Sequence, residues 1–463
     1  MNGSKILHIF HTRFYQCFKN LGIFPTLAIT LPLLLPSGNT AQAAEITNWW
    51  QEKVDNAPLH PDSNDQISTL VGLGGFGNSR MQIDFSIKVN RSENSDPKIP
   101  FTTLPGGGIF LPDSDPVGSL IPIPAGASIE NSTDMSCDTT SNDCHYIAKQ
   151  GNLLYEIYHA NLSNGELQGE ALAIWDLSKK QPASGRGEHC TSADAAGFPI
   201  QPLLWNADEI QASLSIDATG VGDLGHTIRF ILPNDRIATD ASLGGSDGKL
   251  YVRPATHAGG PSGPQDTIAY GARLILRADF PVDGYNPATR VVINTMKRYG
   301  IVLADGGNIA LTAESDQYTQ TKWSDLGIDS RVFDTTPAAR AIQAEDFDVI
   351  DTGERIAETY DCVRNDFQDT DSDGFLNTDD NCTLIANTDQ RDTDEDGFGN
   401  VCDADFDNNN FVNYDDFEIF LDHFGTSNPD ADFDATDFVN YDDFEIFLDL
   451  FGETPGPAGE LRN

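Results

Sequence analysis

The chain has 463 residues, with 71 Asp and Glu against 28 Lys and Arg, a formal net charge of −43. That excess excludes a nucleic-acid binder that works by neutralising phosphates, and it argues against docking on anionic lipid. Hydrophobic residues make up 39% of the chain, enough for a core, so it is not simply disordered.

The N-terminus reads as a secretory signal. Lys5, Arg13 and Lys19 form a basic region, Leu21 to Leu35 an apolar run broken by Pro25 and Pro32, and Ala41-Gln42-Ala43 an A-x-A cleavage pattern. A membrane anchor is the competing reading, but the run is short for a bilayer. Residues 1–43 are therefore expected to be a signal peptide, leaving a mature chain without a membrane span that acts outside the cell. Cys17 leaves with the signal. The remaining six (Cys137, Cys144, Cys190, Cys362, Cys382 and Cys402) favour disulfides in an exported chain. Cys137 and Cys144, seven apart across a polar turn, suggest a local staple, and the pairing of Cys190 and Cys362 stays open. No Cys-x-x-Cys occurs, which disfavours redox catalysis and structural zinc.

Residues 44–360 read as a β-rich domain, a sandwich or jelly-roll-like body. Short runs of β-branched and aromatic residues alternate there with Gly, Pro, Asn and Asp clusters. Strands are expected at Met81–Val89, His145–Lys149, Leu153–His159, Ala171–Asp176, Thr227–Leu232, Leu250–Arg253 and Ala272–Phe280. Three more are expected at Ile301–Ala304, Ile309–Ala313 and Phe347–Ile350, a hairpin turn at Gln150-Gly151-Asn152, and a helix over Ala288–Tyr299 that Gly300 stops. The Pro/Gly-rich stretches Pro97–Gly126 and Pro254–Pro264 read as surface loops. Gly72, Gly74 and Gly77 match the dinucleotide G-x-G-x-x-G, but that fingerprint needs a following helix, and Met81–Val89 alternates like a strand.

Chemistry in this body is sparsely signposted. No His-Glu-x-x-His occurs, which weakens a zinc protease reading. His145, His159, His226 and His257 lie in or beside expected strands, with Glu156, Glu170, Asp176 and Asp305 as carboxylate candidates. A carboxylate pair would suit glycan hydrolysis and a His/Tyr pair elimination. Trp175, Trp205 and Trp323 are either sugar platforms or, more commonly for Trp, core residues. The segments CTSADAAGFPIQPLL, GHTIRFILP, YVRPATH and MKRYGIVLADGG are similar to a domain of secreted bacterial proteins of unsettled function. That resemblance makes His226, His257 and Asp305 the candidate catalytic residues.

The charge is concentrated near the C-terminus. From Asp361 to Glu453 there are 28 acidic and 2 basic side chains. Within this region four twelve-residue segments carry oxygen-bearing residues at positions 1, 3, 5, 9 and 12, the spacing with which a loop wraps Ca²⁺. The first has Asp369, Asp371, Asp373, Asn377 and Asp380; the second Asp392, Asp394, Asp396, Asn400 and Asp403. The third has Asp405, Asp407, Asn409, Asn413 and Asp416; the fourth Asp432, Asp434, Thr436, Asn440 and Asp443. A solvated acidic tail would lack the apolar residues that recur here at fixed positions.

The stretch DTDSDGFLNTDDNCTLIANTDQRDTDEDGFGNVCD, Asp369 to Asp403, resembles thrombospondin type 3 repeats through its Asp-Asn-Cys, Asn-x-x-Gln and Asp-Gly-x-Gly landmarks. The resemblance implies carboxylates wrapped around calcium with little hydrophobic core, and it favours a Cys382–Cys402 disulfide. Thr383 stands where that family usually has proline. Next, FVNYDDFEIFLDHFG (Phe411 to Gly425) and FVNYDDFEIFLDLFG (Phe438 to Gly452) repeat with a period of 27 residues and differ only at His423 and Leu450. Each loop leads into a short helix with Phe417, Phe420, Leu421 and Phe424, or their second-copy equivalents, at helical spacing. This pair resembles a dockerin module, which implies EF-hand-type loops and a cohesin-like partner read by Tyr414-Asp415 and Tyr441-Asp442. Asn410 and Asp437 replace the usual position-6 glycine, and Thr436 is a weaker ligand than aspartate.

The expected order is thus signal 1–43, β-domain 44–360, thrombospondin-like repeats 361–403, dockerin-like unit 404–452 and a tail 453–463. The expected function is a secreted calcium-binding protein whose β-domain binds or degrades polysaccharide, as a glycoside hydrolase or polysaccharide lyase if it is an enzyme. A non-catalytic surface or matrix adhesion protein is the alternative.

Overall fold

The computed structural model describes residues 48–456 except 106, 107, 141, 366–370, 372, 374, 376, 378, 379, 395, 410 and 435. The expected signal peptide and Asp369 lie outside the described residues.

In chain order the first part holds α1 (Ser63–Gly72) and nine strands: β1 (Ile83–Asp84), β2 (Val89–Ser92), β3 (Lys98–Thr103), β4 (Leu120–Pro122), β5 (Tyr146–Gln150), β6 (Leu153–Tyr158), β7 (Asn161–Ser163), β8 (Glu166–Gly169) and β9 (Ala171–Asp176). There follow β10 (Gly187–Glu188), α2 (Ala207–Ile216), β11 (Ile228–Leu232), β12 (Leu250–Tyr251), β13 (Arg273–Leu276), α3 (Pro287–Arg298), β14 (Ile301–Gly306) and β15 (Leu311–Thr312). Then come β16 (Phe347–Val349), β17 (Ile356–Ala357), β18 (Val363–Arg364), α4 (Tyr414–His423) and α5 (Tyr441–Leu450).

The body is built on β-sheets. The largest has six strands in the order β1-β15-β11-β14-β13-β16; two have four, ordered β2-β5-β6-β9 and β4-β3-β8-β7. The inner strands of the large sheet are nearly continuous apolar runs because both of their faces are covered. Its core gathers Phe230, Leu232, Val292, Leu303 and Trp205, all fully buried. Helix α3 supplies part of the cover. It begins where Asn286 Oδ1 accepts the Thr289 N–H at 2.8 Å with Pro287 at the first position, and it buries Val291, Val292 and Met296. Gly300 ends it at φ +69°, where an added Cβ would stand 2.5 Å from the Leu274 carbonyl.

The four-stranded sheets enclose two further clusters, one around Phe101, Tyr146 and Ile157, the other around Ile147, Leu154 and Trp175. β5 and β6 pair from Gln150↔Leu153 onwards, so Gly151-Asn152 forms the expected two-residue hairpin turn. Parallel pairs occur in three sheets, β1 with β15, β11 with β14, and both β2 with β5 and β3 with β8.

Several expectations need correction. Pro97–Gly126 is not a loop throughout: it contains β3 and β4, with Phe101 and Ile121 fully buried. Pro254–Pro264 is no surface loop either, since Ala255, Thr256 and Ala258 are buried. Helices α1 and α2 were hidden behind polar and small residues with only a narrow apolar stripe. Gly72 ends α1, and Gly74 and Gly75 turn the chain at positive φ, so the glycine triplet is a helix exit and no nucleotide loop. Trp175, Trp205 and Trp323 are core residues, 3%, 0% and 6% exposed.

Three disulfides join Cys137–Cys144, Cys190–Cys362 and Cys382–Cys402. The second meets the antiparallel pair β10–β18. There Arg186 and Arg364 both bind the Asp115 carboxylate at 2.9 Å, which stitches the start of the acidic region to the body.

Candidate functional site

The acidic region gathers its carboxylates into four groups. Asp371, Asp373 and Asp380 form the first; Asp392, Asp394 and Asp396 the second; Asp405, Asp407 and Asp416 the third; Asp432, Asp434 and Asp443 the fourth. In each group one potential ligand atom per residue lies within 4.8 Å of the others. Like charges held this close repel strongly unless a cation or protons intervene.

The first two groups are locked by the landmark residues. Gln390 Nε2 donates to Asp373 Oδ2 at 3.1 Å and to Asp380 Oδ1 at 2.8 Å, fixing both carboxylates from the side. Asp380 Oδ1 also accepts the Cys382 N–H at 2.9 Å, whereas its buried Oδ2 has no hydrogen-bond donor. A buried carboxylate oxygen without a donor beside two more carboxylates suits a hard cation. Gly399 lies so close to the Cys382–Cys402 bridge that a Cβ would meet Asn381 Oδ1 at 2.4 Å and Cys382 Sγ at 2.7 Å. Asp403 lies outside the three-residue second group, but burial and the neighbouring Asp396, Asp394 and Asp405 charges push its carboxyl up to about 7.

The third and fourth groups are built alike, as their sequence repeat requires. Asn413 and Asn440 cap α4 and α5, accepting the Asp415 and Asp442 N–H groups at 2.9 and 2.8 Å. Asp416 and Asp443, at the third helical position, accept the Asn413 and Asn440 N–H groups in return and lean into their own groups. Asn400 Oδ1 instead accepts the Thr393 N–H at 3.0 Å, and Asn409 and Thr436 turn their backbone N–H groups to Asp405 and Asp432. The two copies face each other: Phe420 stacks on Phe447 at 5.1 Å, Val412 N–H bonds Glu453 O, and Val439 N–H bonds Thr426 O.

The body has a separate cleft of about 720 Å³. Its floor includes Asp194 and its walls include Asp305, His257, Tyr158, Tyr270 and Tyr360. Two of the three expected catalytic residues, His257 and Asp305, therefore meet there. His226 does not: its Nδ1 faces the Thr227 carbonyl at 2.8 Å and its Nε2 lies 3.9 Å from Glu209.

Asp305 reaches the cleft through a β-bulge. β11 and β14 run in register from Ile228↔Ile301 to Phe230↔Leu303, then skip Ala304, so that Ile231 pairs with Asp305. Bulges re-aim the next side chain, and the carboxyl ends of parallel strands are where open sheets leave room for ligands. Asp305 Oδ1 accepts the Gly306 N–H at 2.7 Å and its Oδ2 stands 3.7 Å from Arg229 Nη2. That same nitrogen binds the fully buried Asp194. Burial and the Asp194 charge raise the Asp305 carboxyl to about 7 against the pull of Arg229.

The floor is held from behind by an ion pair. His145 Nδ1 lies 2.7 Å from Glu130 Oε2 and its Nε2 3.0 Å from the Ala193 carbonyl. Both partners are acceptors, so both ring nitrogens carry hydrogen. Burial opposes the charges, yet Glu130 raises His145 to about 9 and His145 lowers Glu130 to about 2. The other expected histidine, His159, pairs with Glu170 at 2.9 Å, and Glu156 is a buried acceptor for Trp175, Ile200 and Gln201. Asp194, Arg229 and Tyr360 were not singled out from sequence. Asp194 lies in the segment CTSADAAGFPIQPLL, but nothing in that stretch alone distinguishes a floor carboxylate from a turn residue.

Among the described residues no helix is long and apolar enough to cross a membrane. Residues 362–390 and 391–417 match the family model of the thrombospondin type 3 repeat. Neither a curated protein nor a solved structure matches the chain. The chain thus carries two thrombospondin type 3 repeats, a calcium-binding repeat, and their match covers the first three Asp groups but not the fourth, Asp432, Asp434 and Asp443.

Proposed function

We propose that the chain is an exported calcium-binding protein whose β-domain, residues 44–360, binds or degrades polysaccharide, with the calcium segments as spacer and attachment unit. The observation that carries the reading is the joint presence of four Asp groups in the C-terminal region and a cleft that combines aromatic faces with carboxylates. Sugars present apolar ring faces and a rim of hydroxyls, and such walls meet both. The three disulfides and the thrombospondin repeats fit an oxidising compartment, reached through a signal peptide over residues 1–43.

Within this reading, residues 361–403 are the thrombospondin-like part and 404–452 a dockerin-like pair whose first loop the thrombospondin match also reaches, each of the four loops holding one Ca²⁺ through the ligand sets named from spacing. A cohesin-like or cell-surface protein is the partner of the second unit. The exposed Phe411, Tyr414, Phe438 and Tyr441, at matching places in the two copies, favour a protein partner there. They also favour the second reading, a non-catalytic adhesion protein rigidified by calcium.

Retention of the full chain on a series of immobilised polysaccharides, with calcium present, tests the proposal. Retention by at least one polymer is expected. Retention by none, with binding to cells intact, would leave the adhesion reading.

A further inference from the structure

We propose that the Asp305 cleft hydrolyses glycosidic bonds in neutral or amino-sugar polysaccharides, with Asp305 as general acid and His257 as the base that takes a proton from the attacking water. This rests on the glycan reading above and deepens it by choosing the reaction and the substrate charge.

The charge of the walls decides the substrate. Asp113, Asp143, Asp194 and Asp305 line the cleft, and among the described residues no Lys or Arg does. Arg229 stands behind the floor, 3% exposed and engaged by Asp194. A uronate or sulfated sugar would bring a further negative charge into this group with no Lys or Arg among the lining residues to receive it, only His189 and His257. Elimination next to a uronate carboxylate needs that carboxylate neutralised, so the cleft is unsuited to lyase chemistry. Neutral sugars meet no such repulsion, and a protonated amino sugar is attracted.

The two reacting groups are set in complementary states. Asp305 is partly exposed to the cleft, and its Oδ1 is tied down by the Gly306 N–H. The adjacent Asp194 takes the direct contact with Arg229, so Asp194 holds the charge and Asp305 the proton. Burial raises both carboxyls, and Asp305, which lacks the direct contact with Arg229, is pushed up to about 7. His257 Nδ1 lies 2.7 Å from the Ala195 carbonyl, which makes Nδ1 the protonated nitrogen and leaves the lone pair on Nε2. The His257 ring lies 5.2 Å from the Tyr360 ring, which with Tyr158 and the exposed Phe110 offers apolar faces for sugar rings.

In the step, the Asp305 carboxyl gives its proton to the glycosidic oxygen as the bond from that oxygen to the anomeric carbon breaks. The oxygen of one water bonds to the anomeric carbon, and the proton it sheds goes to His257 Nε2. Exchange with solvent then returns a proton to Asp305 and takes one from His257, so one water is consumed per bond. Asp194 and Arg229, with side chains 0% and 3% exposed, act as positioning residues.

The experiment incubates the full chain, in calcium, with neutral, amino-sugar and uronate polymers, and measures polymer binding, new reducing ends and unsaturated ends. New reducing ends from a neutral or amino-sugar polymer and none from uronates are expected. Asp305→Asn and His257→Gln should each lower that rate about 10²-fold or more while binding and thermal unfolding stay as in the parent. The parent rate should also fall as pH rises past about 7, where Asp305 loses its proton, a readout that does not depend on any variant folding. Binding without products from any polymer, unsaturated ends from uronates, or an unchanged rate in Asp305→Asn would overturn the inference and leave the glycan reading standing. Absence of both binding and products across the series would remove the glycan reading, and the inference with it.

Discussion

Cys190 is joined to Cys362 across 172 residues of sequence, linking the strand before the cleft floor to the first residue of the thrombospondin match. The bridge is reinforced by β10–β18 and by Asp115 between Arg186 and Arg364. Closing so long a loop restricts the unfolded chain strongly. Replacing both cysteines by serine is expected to cost about 2–5 kcal/mol and to lower the unfolding temperature of the body, followed by calorimetry. An unchanged transition would show that the strand pair and Asp115 suffice alone.

The buried His145–Glu130 pair predicts a pH window. Glu130, lowered to about 2, adds stability above its unfolded value of about 4.3, and this is lost as pH falls through 2. His145, raised to about 9, adds stability that is complete below its unfolded value of about 6.5 and is lost as pH rises through 9. The pair therefore contributes most between about pH 4.3 and 6.5. Glu130→Gln leaves a buried imidazolium without its partner and should cost about 3–5 kcal/mol in that window, measured by denaturant unfolding at several pH values.

Gln390 predicts a calcium effect without being a ligand. Its amide holds Asp373 and Asp380, so Gln390→Ala should weaken calcium affinity of the first loop by about tenfold or more while the other loops keep theirs. Calorimetric titration separates this from a global loss, which would lower every site.

The aromatic contact between the two repeat copies predicts their mutual dependence. Phe420 is fully buried and stacks on Phe447 of the second copy and Phe433 ahead of it. Phe420→Ala should cost about 3–5 kcal/mol of the stability of that unit and raise proteolysis at both copies. Cleavage confined to the first copy would mean the two fold independently.

The acidic repeats were readable because their signal is local: Asp371, Asp373 and Asp380, or Asp405, Asp407 and Asp416, lie within one loop, and spacing alone brings them together. The helix at 287–298 and the strand at 171–176 were readable from periodicity for the same reason. The cleft was not. Asp194, Arg229 and Asp305 come from three distant segments: the parallel pairing of β11 with β14 and its bulge at Ala304 bring Arg229 and Asp305 together, and an ion pair to Arg229 holds Asp194. His226 sits two residues before β11 and was a natural candidate by sequence, yet it packs beside Glu209. Pro254–Pro264 carries the composition of a loop, but its small residues let the chain run through the interior and present His257 to the cleft.

The central claim is that the four Asp groups are calcium sites, and equilibrium dialysis of the full chain against labelled Ca²⁺ tests it most directly. The concentration range should extend to about 10⁻³ M, where extracellular calcium modules often bind. Four ions per chain, one for each group, are predicted, with Asp380→Asn, Asp396→Asn, Asp416→Asn and Asp443→Asn each removing or weakening one. Binding of no calcium over that range, or binding that these substitutions leave untouched, would contradict it.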